Sequence, residues 1–386
     1  TKLPETLYRP VDYAWNGQTM VLWNHALAQR LGIDKEAKDP LDVMLRGVKA
    51  ASVRGAPYAQ AYAGHQFGHL SVLGDGRALV LGEHVAPGGA RYDIALKGAG
   101  RTPFARGGDG KATLGAMLRE YILSLAMESL GIATTGSLGV YLTGESVLRE
   151  TKQQAAVLIR VTSSHIRVGT FQYAALQGPM VVQALFEATL QACYEKHMSP
   201  EALLAEMIDQ YTDLLVHWMR VGFIHGVMNT DNVALSCQTL DYGPCAFLDE
   251  YDVRKVFSSI DHQGRYAYGN QPIAGYWNMA RFAESLLPIM PDTLPSSKNR
   301  LEKVLSQFPK VYAKKWDVMM RRKLGLWERQ EGDEALVSDL LTWMQQEQAD
   351  YTDTFRGLSD PERFVDVKYQ SRAFNTWHAR WQKRLQ

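Results

Sequence analysis

The amino-acid sequence predicts an α+β protein whose first part is rich in β-sheet and whose second part is mainly helical. Three observations support this prediction. Glycine and aromatic residues are dense between about residues 55 and 110, and strand-like apolar runs follow from about 137 to 162. Helical periodicity appears from about 113 to 130 and dominates beyond about residue 180. Sheet and helix that are separated along the chain in this way are typical of α+β folds.

Length and composition narrow the class of protein. The 386 residues suffice for two lobes, which we place at 1–175 and 176–386, because chain length divided by roughly 150 is a fair prior for domain number. Hydrophobic residues make up 46% and charged residues 22% of the chain. These values exclude a disordered chain, a collagen-like fibre and a small disulfide-stapled scaffold. A net charge of +1 gives no indication of a nucleic-acid partner.

Cysteine content and hydropathy predict the compartment. Three cysteines occur, with no C-x-x-C pair, so a reducing environment is expected and a zinc site is not. No run of about 18 apolar residues is present, and the first residues lack the apolar core of a signal peptide. We therefore expect a soluble, cytoplasmic protein with no membrane partner.

A glycine-rich segment, Gly74-Asp75-Gly76-Arg77, lies between two apolar runs. Asp-Gly in this setting predicts a β-hairpin. At a tip lined by glycine, backbone N–H groups can approach a phosphate and Arg77 can pair with it. A plain surface hairpin is the alternative, because neither of the standard glycine-rich nucleotide-binding patterns is present.

The segment 91–98 reads as a strand that ends in Lys97. Alternation places Asp93, Ala95 and Lys97 on one face. A lysine that ends a strand, two residues after a small side chain, is typical of the third strand of protein kinases. A solvated lysine is the alternative unless a partner is present.

A partner for Lys97 follows on a predicted helix over 113–130. Its apolar residues recur at helical spacing, and Gly131 is a suitable stop. Glu120 lies beside the apolar stripe, so its carboxylate can reach inward and pair with Lys97, as in protein kinases. An exposed helical glutamate is the alternative.

A second long helix is predicted from Pro200 to Val221, with Ser199 as its N-cap and Gly222 after its end. The residues that follow match the kinase catalytic loop H-R-D-x-x-x-x-N and the later D-F-G. The matching positions are His225, Asn232 and Asp241-Tyr242-Gly243.

The nine residues from Asn232 to Asp241 predict a short hairpin that brings both side chains to one metal ion. Oxygen ligands of this kind suit Mg²⁺ or Mn²⁺ together with nucleotide phosphates. We interpret His225 as a structural residue of the loop. Val227 occupies the place of the kinase catalytic aspartate and cannot accept a proton. Either the chain is a non-catalytic relic, or another carboxylate acts, and Asp231 is the nearest candidate.

Together these motifs resemble the selenoprotein O (YdiU) family of protein adenylyltransferases, from about residue 8 to the end. The resemblance is carried by 62–68 (YAGHQFG), 74–77 (GDGR), 96–103 (LKGAGRTP), 225–232 (HGVMNTDN) and 241–244 (DYGP). It implies a two-lobed, protein-kinase-like fold that binds ATP in a flipped orientation. It also implies metal-dependent transfer of AMP to Ser, Thr or Tyr hydroxyls of proteins with release of pyrophosphate. Bacterial members are described as also using UTP with manganese.

The resemblance implies roles for individual residues. Asp231 would be the proton acceptor, Glu120 would hold Lys97, and Asn232 and Asp241 would bind Mg²⁺ or Mn²⁺. The nucleotide-binding residues would be Gly74, Gly76, Arg77, Lys97, Asp109, Gly110, Arg160, Arg167 and Asp241.

Two points leave alternatives open. No cysteine follows Cys245, so we expect the C-terminal Cys or selenocysteine of the family to be absent, and Cys245 to be a buried inert thiol unless it pairs with that element. A kinase-like phosphotransferase and a nucleotide-binding pseudokinase scaffold are the alternative functions. The first of these would need an acid at Val227. The sequence does not predict the protein substrates, the choice of ATP or UTP, or the oligomeric state.

Overall fold

The structure is a computed structural model that describes residues 3–13, 17–33, 57–194 and 197–386. It confirms the α+β prediction, with a sheet-rich N-terminal part and a helical C-terminal part. The strands are β1 (Tyr8–Pro10), β2 (Thr19–Trp23), β3 (Tyr58–Gln60), β4 (Ala63–Gln66), β5 (His69–Val72), β6 (Ala78–Val85), β7 (Arg91–Lys97), β8 (Ala112–Thr113), β9 (Gly136–Leu148), β10 (Lys152–Thr162), β11 (Phe223–Ile224) and β12 (Ala246–Phe247). The α-helices are α1 (His25–Leu31), α2 (Leu114–Ser129), α3 (Val168–Gln177), α4 (Pro179–Cys193), α5 (Pro200–Arg220), α6 (Gln271–Leu286), α7 (Leu294–Leu305), α8 (Phe308–Lys323), α9 (Asp333–Glu347), α10 (Tyr351–Gly357) and α11 (Arg372–Leu385).

The chain divides into two compact units. The first unit consists of Thr1–Met207, Asn229–Gly243 and Ala280–Glu302. The second unit consists of Ile208–Met228, Pro244–Met279 and Lys303–Gln386. The predicted lobes of 1–175 and 176–386 stay a prediction.

The first unit is built on an antiparallel sheet. In the described part of the chain, eight strands form it in the order β1-β3-β6-β7-β10-β9-β2, with β8 paired to β10. One face of β7 and β10 buries Ile94, Leu96, Val157 and Ile159 completely. This pattern confirms the alternation predicted for β7, because Lys97 then belongs to the other face.

Helix α2 packs on that other face. The predicted helix over 113–130 is present as Leu114–Ser129, and the Thr113 hydroxyl caps it by accepting a hydrogen bond from the Ala116 N–H at 3.3 Å. Met117 and Tyr121 of this helix pack against the sheet. The helix therefore presents a defined side to the face that carries Lys97.

The predicted hairpin at Gly74–Arg77 is wrong. Among the described strands, β5, before this segment, pairs with β4 alone, whereas β6, after it, pairs with β3 and β7. The segment thus connects two different sheets. The Asp75 carboxylate is turned inward and accepts a hydrogen bond from the Gln60 N–H at 3.0 Å. This contact, together with the choice of strand partners, overrides the local Asp-Gly signal.

The short hairpin predicted between Asn232 and Asp241 is also absent. Ala234 forms an isolated bridge with Arg167, and Thr239 forms one with Thr134. Both ends of this segment are therefore held by other parts of the first unit, and not by each other.

The second unit is helical, with a single small antiparallel pair, β11 and β12, among its described residues. The helix predicted from Pro200 to Val221 begins and ends within one residue of the prediction, and Ser199 Oγ accepts a hydrogen bond from the Ala202 N–H at 3.2 Å. An aromatic core that includes Trp343, Trp377 and Trp381 holds α9, α10 and α11 together. No helix among the described ranges is both long enough and apolar enough to cross a membrane.

Candidate active site

Two paired strands, β7 and β10, place two cationic side chains on one face of the main sheet. Ala95 pairs with Arg160, and Lys97 pairs with Leu158, in the antiparallel register. Residues directly opposite each other in such a ladder point to the same face. Ala156 and Leu158 on that face pack against α2. Lys97 and Arg160 therefore point toward this helix.

Glu120 of α2 meets both cations. It is 2% exposed, and its Oε2 accepts a hydrogen bond from Lys97 Nζ at 2.6 Å. Its Oε1 accepts one from Arg160 Nε at 3.1 Å. Burial by itself raises the pKa of Glu120, but the charges of Arg160 and Lys97 outweigh burial and hold this pKa below its ordinary value. The structure thus brings together Lys97 and Glu120 and adds Arg160 to the pair.

Asp241 gathers three cations. Its Oδ1 accepts hydrogen bonds from Lys97 Nζ and, at 2.6 Å, from Arg160 Nη2. Its Oδ2 accepts one from Arg167 Nη1 at 3.2 Å. Burial opposes ionisation here too, yet Arg160, Lys97 and Arg167 hold the pKa of Asp241 well below its ordinary value. The residue has a φ of 65°, a left-handed conformation that is uncommon outside glycine and clusters at functional sites.

Arg167 is held by several residues besides Asp241. It is 3% exposed. Besides Asp241, it contacts the Asp231 carbonyl oxygen through Nη1 at 2.8 Å, the Asp75 carboxylate through Nη2 at 3.5 Å, and the Tyr62 ring at 4.7 Å from its centroid. Its Nε has no hydrogen-bond partner among the described residues. A buried guanidinium N–H without a partner is a position that an added oxygen acceptor would fill.

Asp231 is a buried carboxylate with one free oxygen. It lies in a single 3₁₀ turn, Thr230–Asn232, and its Oδ1 has no hydrogen-bond partner in the part of the chain that the structure describes. Burial raises the pKa of Asp231 to about 6, against the opposing charge of Arg167. Gly64 faces this oxygen, because a Cβ at residue 64 would collide with Asp231 Oδ1. A free carboxylate oxygen with space kept by a glycine can accept a proton from a neighbouring hydroxyl.

The glycine-rich segment reaches the same cluster through Asp75. The Asp75 side chain contacts Arg167, whereas Arg77 is exposed. Gly74 is buried with a φ of 147°, and a Cβ there would meet the Phe104 ring at 2.5 Å. Only glycine fits such a position. The nucleotide-binding roles of Gly74, Gly76 and Arg77 stay predictions.

Asp109 is exposed, whereas Gly110 beside it is buried and its carbonyl oxygen accepts a hydrogen bond from the Gly100 N–H at 3.1 Å. The Asp109 carboxylate binds Arg149 through two hydrogen bonds of 2.9 and 3.0 Å. These bonds from Arg149 lower the pKa of Asp109 to about 2. The structure thus gives Asp109 a surface partner, and its role toward the nucleotide stays a prediction.

Asn232 and Asp241 offer an amide and a carboxylate, which is the oxygen donor chemistry that Mg²⁺ and Mn²⁺ prefer. Among the described residues, no group of three or more His, Cys, Asp or Glu side chains is arranged to hold a metal ion. A site with few protein ligands fits Mg²⁺, which usually keeps waters and binds substrate phosphates. The donor set therefore fits the predicted ion.

His225 belongs to the second unit and is 1% exposed. Its backbone N–H donates a hydrogen bond to the Gln271 side chain at 3.0 Å, and the Val227 N–H donates one to its ring at 3.3 Å. These contacts fit the interpretation of His225 as a structural residue.

Two residues of the cluster are not predicted as site residues from the sequence. The sequence indicates a turn at Asp75, whereas the structure shows that its carboxylate contacts Arg167. Gly64 is one residue of the segment 62–68, whereas the structure shows that it borders Asp231. The signal for both was their position inside segments that carry the family resemblance.

A cavity of about 610 Å³ lies in the second unit and is lined by residues of α8 and α9. Its two carboxylates are already neutralised, since Asp317 lies 3.2 Å from Arg321 and Glu334 lies 2.5 Å from Arg329. It offers apolar surface and no unpaired charge. The charged cluster of the first unit is therefore the better candidate for chemistry.

The chain also matches known proteins over its whole length. Residues 2–386 match the family model described as protein adenylyltransferase SelO. The chain is similar to the protein nucleotidyltransferase YdiU of Alcanivorax borkumensis, with 51% identity over 390 residues that cover 100% of this chain and 80% of the relative. It is also similar to the protein of the same name from Nitrosococcus oceani, with 50% identity over 95% of this chain and 76% of the relative. The protein of that name from Geobacillus kaustophilus is 49% identical over 100% of this chain and 81% of the relative.

Proposed function

This chain belongs to the SelO family of protein adenylyltransferases, and we propose that it is a protein nucleotidyltransferase that moves AMP from ATP to Ser, Thr or Tyr hydroxyls of proteins. Pyrophosphate is the leaving group. The observation that carries the proposal is the buried group of Lys97, Arg160 and Arg167 on Asp241, beside the unpartnered carboxylate of Asp231.

The cluster is suited to a polyphosphate. Three cationic side chains face the two carboxylates of Glu120 and Asp241, and all three are less than 10% exposed. In a buried site, charges that are already in place stabilise developing negative charge more strongly than water does. A triphosphate that enters would take hydrogen bonds from Lys97, Arg160 and Arg167, including one from the unpartnered Arg167 Nε. The cations would then stabilise the charge that collects on departing pyrophosphate.

Asp231 is the proton acceptor in this proposal. Its free oxygen can take the proton of an incoming hydroxyl as the oxygen attacks the α-phosphorus. Arg167 holds the backbone carbonyl of the same residue at 2.8 Å. The cation that binds the nucleotide thereby also positions the base, so that attack depends mainly on orientation.

Asn232 and Asp241 would hold Mg²⁺ or Mn²⁺. A bound divalent cation supplies charge neutralisation on the phosphate oxygens. Both oxygens of Asp241 contact cationic side chains. If Lys97 and Arg160 turned toward entering phosphates, Oδ1 of Asp241 would become available as a ligand, while Arg167 would stay on Oδ2.

Several finer features stay part of the proposal. These are the two-lobed kinase-like fold, the flipped orientation of ATP, the use of UTP and the cytoplasmic location. The absence of an acid at Val227 disfavours the phosphotransferase alternative, which would need one there.

Isotope labelling tests the proposal. The chain is incubated with a mixture of proteins, Mg²⁺ or Mn²⁺, and ATP that carries radioactive phosphorus at either the α or the γ position. We expect label on protein from α-labelled ATP only, and none with Asp231→Asn. Label from the γ position only would indicate a kinase-like phosphotransferase. Binding of ATP without any labelling would indicate a pseudokinase scaffold.

A further inference from the structure

A buried histidine that the proposed chemistry does not use lies next to the cationic cluster. His165 follows β10 and is 3% exposed. Its Nδ1 lies 3.2 Å from Asp93 Oδ2, but its Nε2 has no hydrogen-bond partner within the described ranges. A polar atom that is buried without a partner costs free energy, which an unseen ligand or water would recover.

The ring does more than anchor its loop. The His165 backbone N–H already donates to Asp93 Oδ2 at 2.9 Å, and this bond ties the loop to β7. The ring contact to the same oxygen adds little to that anchor. What it does is orient the imidazole, with Nδ1 as the donor to the carboxylate and Nε2 directed elsewhere.

His165 lines a small cavity that it shares with the cluster. The other polar lining residues are Asp75, Lys97, Arg160 and Arg167. The apolar lining includes Ala78 and Ala95, whose side chains are small. The volume of about 10 Å³ holds about one water molecule. A larger ligand enters when the long side chains of Lys97 and Arg160 turn toward it.

The sheet places the histidine and the cations in one row. Asp93, Ala95 and Lys97 alternate onto one face of β7. Arg160 lies on the same face, because it pairs with Ala95. The separation of Asp93 and Lys97 along the strand is about 13 Å, at roughly 3.3 Å per residue. The row thus extends from Lys97 past Arg160 to the Asp93–His165 pair.

We propose that His165, backed by Asp93, binds the terminal phosphates of the nucleotide, which leave as pyrophosphate. This inference rests on the proposed function. Three of the polar side chains that share the cavity are cationic, so the ligand that the lining favours is an anion. An imidazole that a carboxylate orients through Nδ1 can present its Nε2 edge to a phosphate oxygen as a hydrogen-bond partner. A water molecule alone would satisfy Nε2 but would leave phosphate binding independent of the ring.

The experiment measures binding of inorganic pyrophosphate, ATP and AMP to the full chain by calorimetry. The variant is His165→Gln, and the matched control is His84→Gln, a histidine of the same sheet whose Nε2 already contacts the Leu31 carbonyl oxygen at 2.7 Å. We expect His165→Gln to weaken pyrophosphate and ATP by about 10-fold, the effect of one hydrogen bond to a charged group. AMP should bind as it does to wild type, and the KM for ATP should rise more than kcat falls.

Other outcomes decide against the inference. Equal weakening of ATP and AMP, or unchanged binding of pyrophosphate, would show that His165 is only a structural residue and would leave the proposed function intact. If wild type binds neither ATP nor pyrophosphate, the proposed function fails first. If His165→Gln does not fold, Asp93→Asn replaces it, since asparagine can still accept the loop N–H. Pyrophosphate should then bind about 3-fold more weakly, because the ring loses the carboxylate that orients it, and unchanged binding would overturn the inference.

Discussion

The two units differ in the side chains that dominate their interiors, which are charged in the cluster of the first unit and aromatic in the core of the second. The first unit encloses Lys97, Glu120, Arg160 and Arg167, all under 10% exposed, around Asp241. The second unit encloses an aromatic core in which the rings of Trp377 and Trp381 stack at 6.0 Å and those of Trp343 and Phe374 lie 4.7 Å apart. The second unit also buries charged side chains, among them Arg321 and Asp333, but each pairs with a partner of its own, whereas those of the first unit converge on Asp241.

The difference shows which region is built for stability and which for chemistry. Aromatic side chains that leave water stabilise a fold directly, since each buries about 150–250 Å². Buried ion pairs gain little net stability, because the loss of hydration offsets their attraction. Several charges that converge on one buried carboxylate therefore indicate another reason, and the reason we propose is the binding of a polyphosphate.

The sharpest test of the comparison separates activity from stability. Asp231→Asn removes the proton acceptor, so we expect the rate of AMP transfer to fall by about 10²–10⁴. The free energy of unfolding should stay the same or increase, because the substitution removes a buried carboxylate whose Oδ1 lacks a partner among the described residues. Initial rates with α-labelled ATP and urea unfolding measure the two quantities. A variant that loses stability along with its activity would contradict the separation.

Removing one charge of the cluster should have the next largest effect. Glu120→Gln leaves Lys97 and Arg160 with Asp241 as their remaining carboxylate partner in the cluster, and we expect a loss of about 3–5 kcal/mol in the free energy of unfolding. The control is Glu145→Gln, which breaks the exposed pair with Lys111 and should cost less than about 1 kcal/mol. Urea unfolding of both variants gives the comparison. Equal losses would mean that burial of the cluster does not matter.

In the aromatic core, we expect a substitution to lower the free energy of unfolding and to leave the rate of AMP transfer unchanged, which is the reverse of the result for Asp231→Asn. Trp377→Ala removes a ring that is 4% exposed and a hydrogen bond from its Nε1 to the Leu336 carbonyl oxygen at 2.8 Å. The loss should be about 3 kcal/mol or more, whereas Trp327→Ala, at a residue 78% exposed, should stay within about 0.5 kcal/mol. Transfer rates at a temperature where both variants are folded should match wild type. A large fall in rate for folded Trp377→Ala would assign the aromatic core a part in the chemistry.

The smallest effect concerns a cation at the edge of the aromatic region. Lys323 Nζ lies 3.9 Å from the centroid of the Tyr351 ring and donates to the Arg220 carbonyl oxygen at 2.6 Å. Burial, and then the charge of Arg220, lower the pKa of Lys323 well below 10.5 in the folded chain. Between that lowered pKa and 10.5, the unfolded chain binds more protons, so stability rises with pH.

Lys323→Met should remove this dependence with little change in stability at neutral pH. Unfolding of both proteins over a series of alkaline pH values measures the slope. Parallel pH profiles for wild type and variant would show that Lys323 keeps its proton in both states.

Much of the site was accessible from sequence, because some of its determinants are local. Two-residue alternation put Lys97 on the inner face of β7, and helical periodicity put Glu120 beside the buried stripe of α2. The resemblance of 225–232 and 241–244 to a known family added Asp231, Asn232 and Asp241. All of these predictions follow from the spacing and identity of residues along the chain, without any distance between atoms of the folded protein.

Other features depend on contacts between distant residues. The expected hairpin at Gly74–Arg77 does not form, because β6 finds its partners in β3 and β7. Asp75 looks like a turn residue until Arg167, 92 positions later in the chain, is seen to contact it. His165 shows its unpartnered nitrogen only when Asp93 is placed opposite.

The sequence by itself determined the class of fold, the elements that carry Lys97 and Glu120, and the family, because periodicity and motif spacing are properties of neighbouring residues. Only the tertiary structure decided that Arg160 and Arg167 converge with Lys97 on Asp241, and that Asp231 keeps an oxygen free. Hydrogen bonds and desolvation act over a few ångströms in space, whatever the separation along the chain. The charge state of a buried site, and the polar atoms in it that are left without a hydrogen-bond partner, therefore follow from packing.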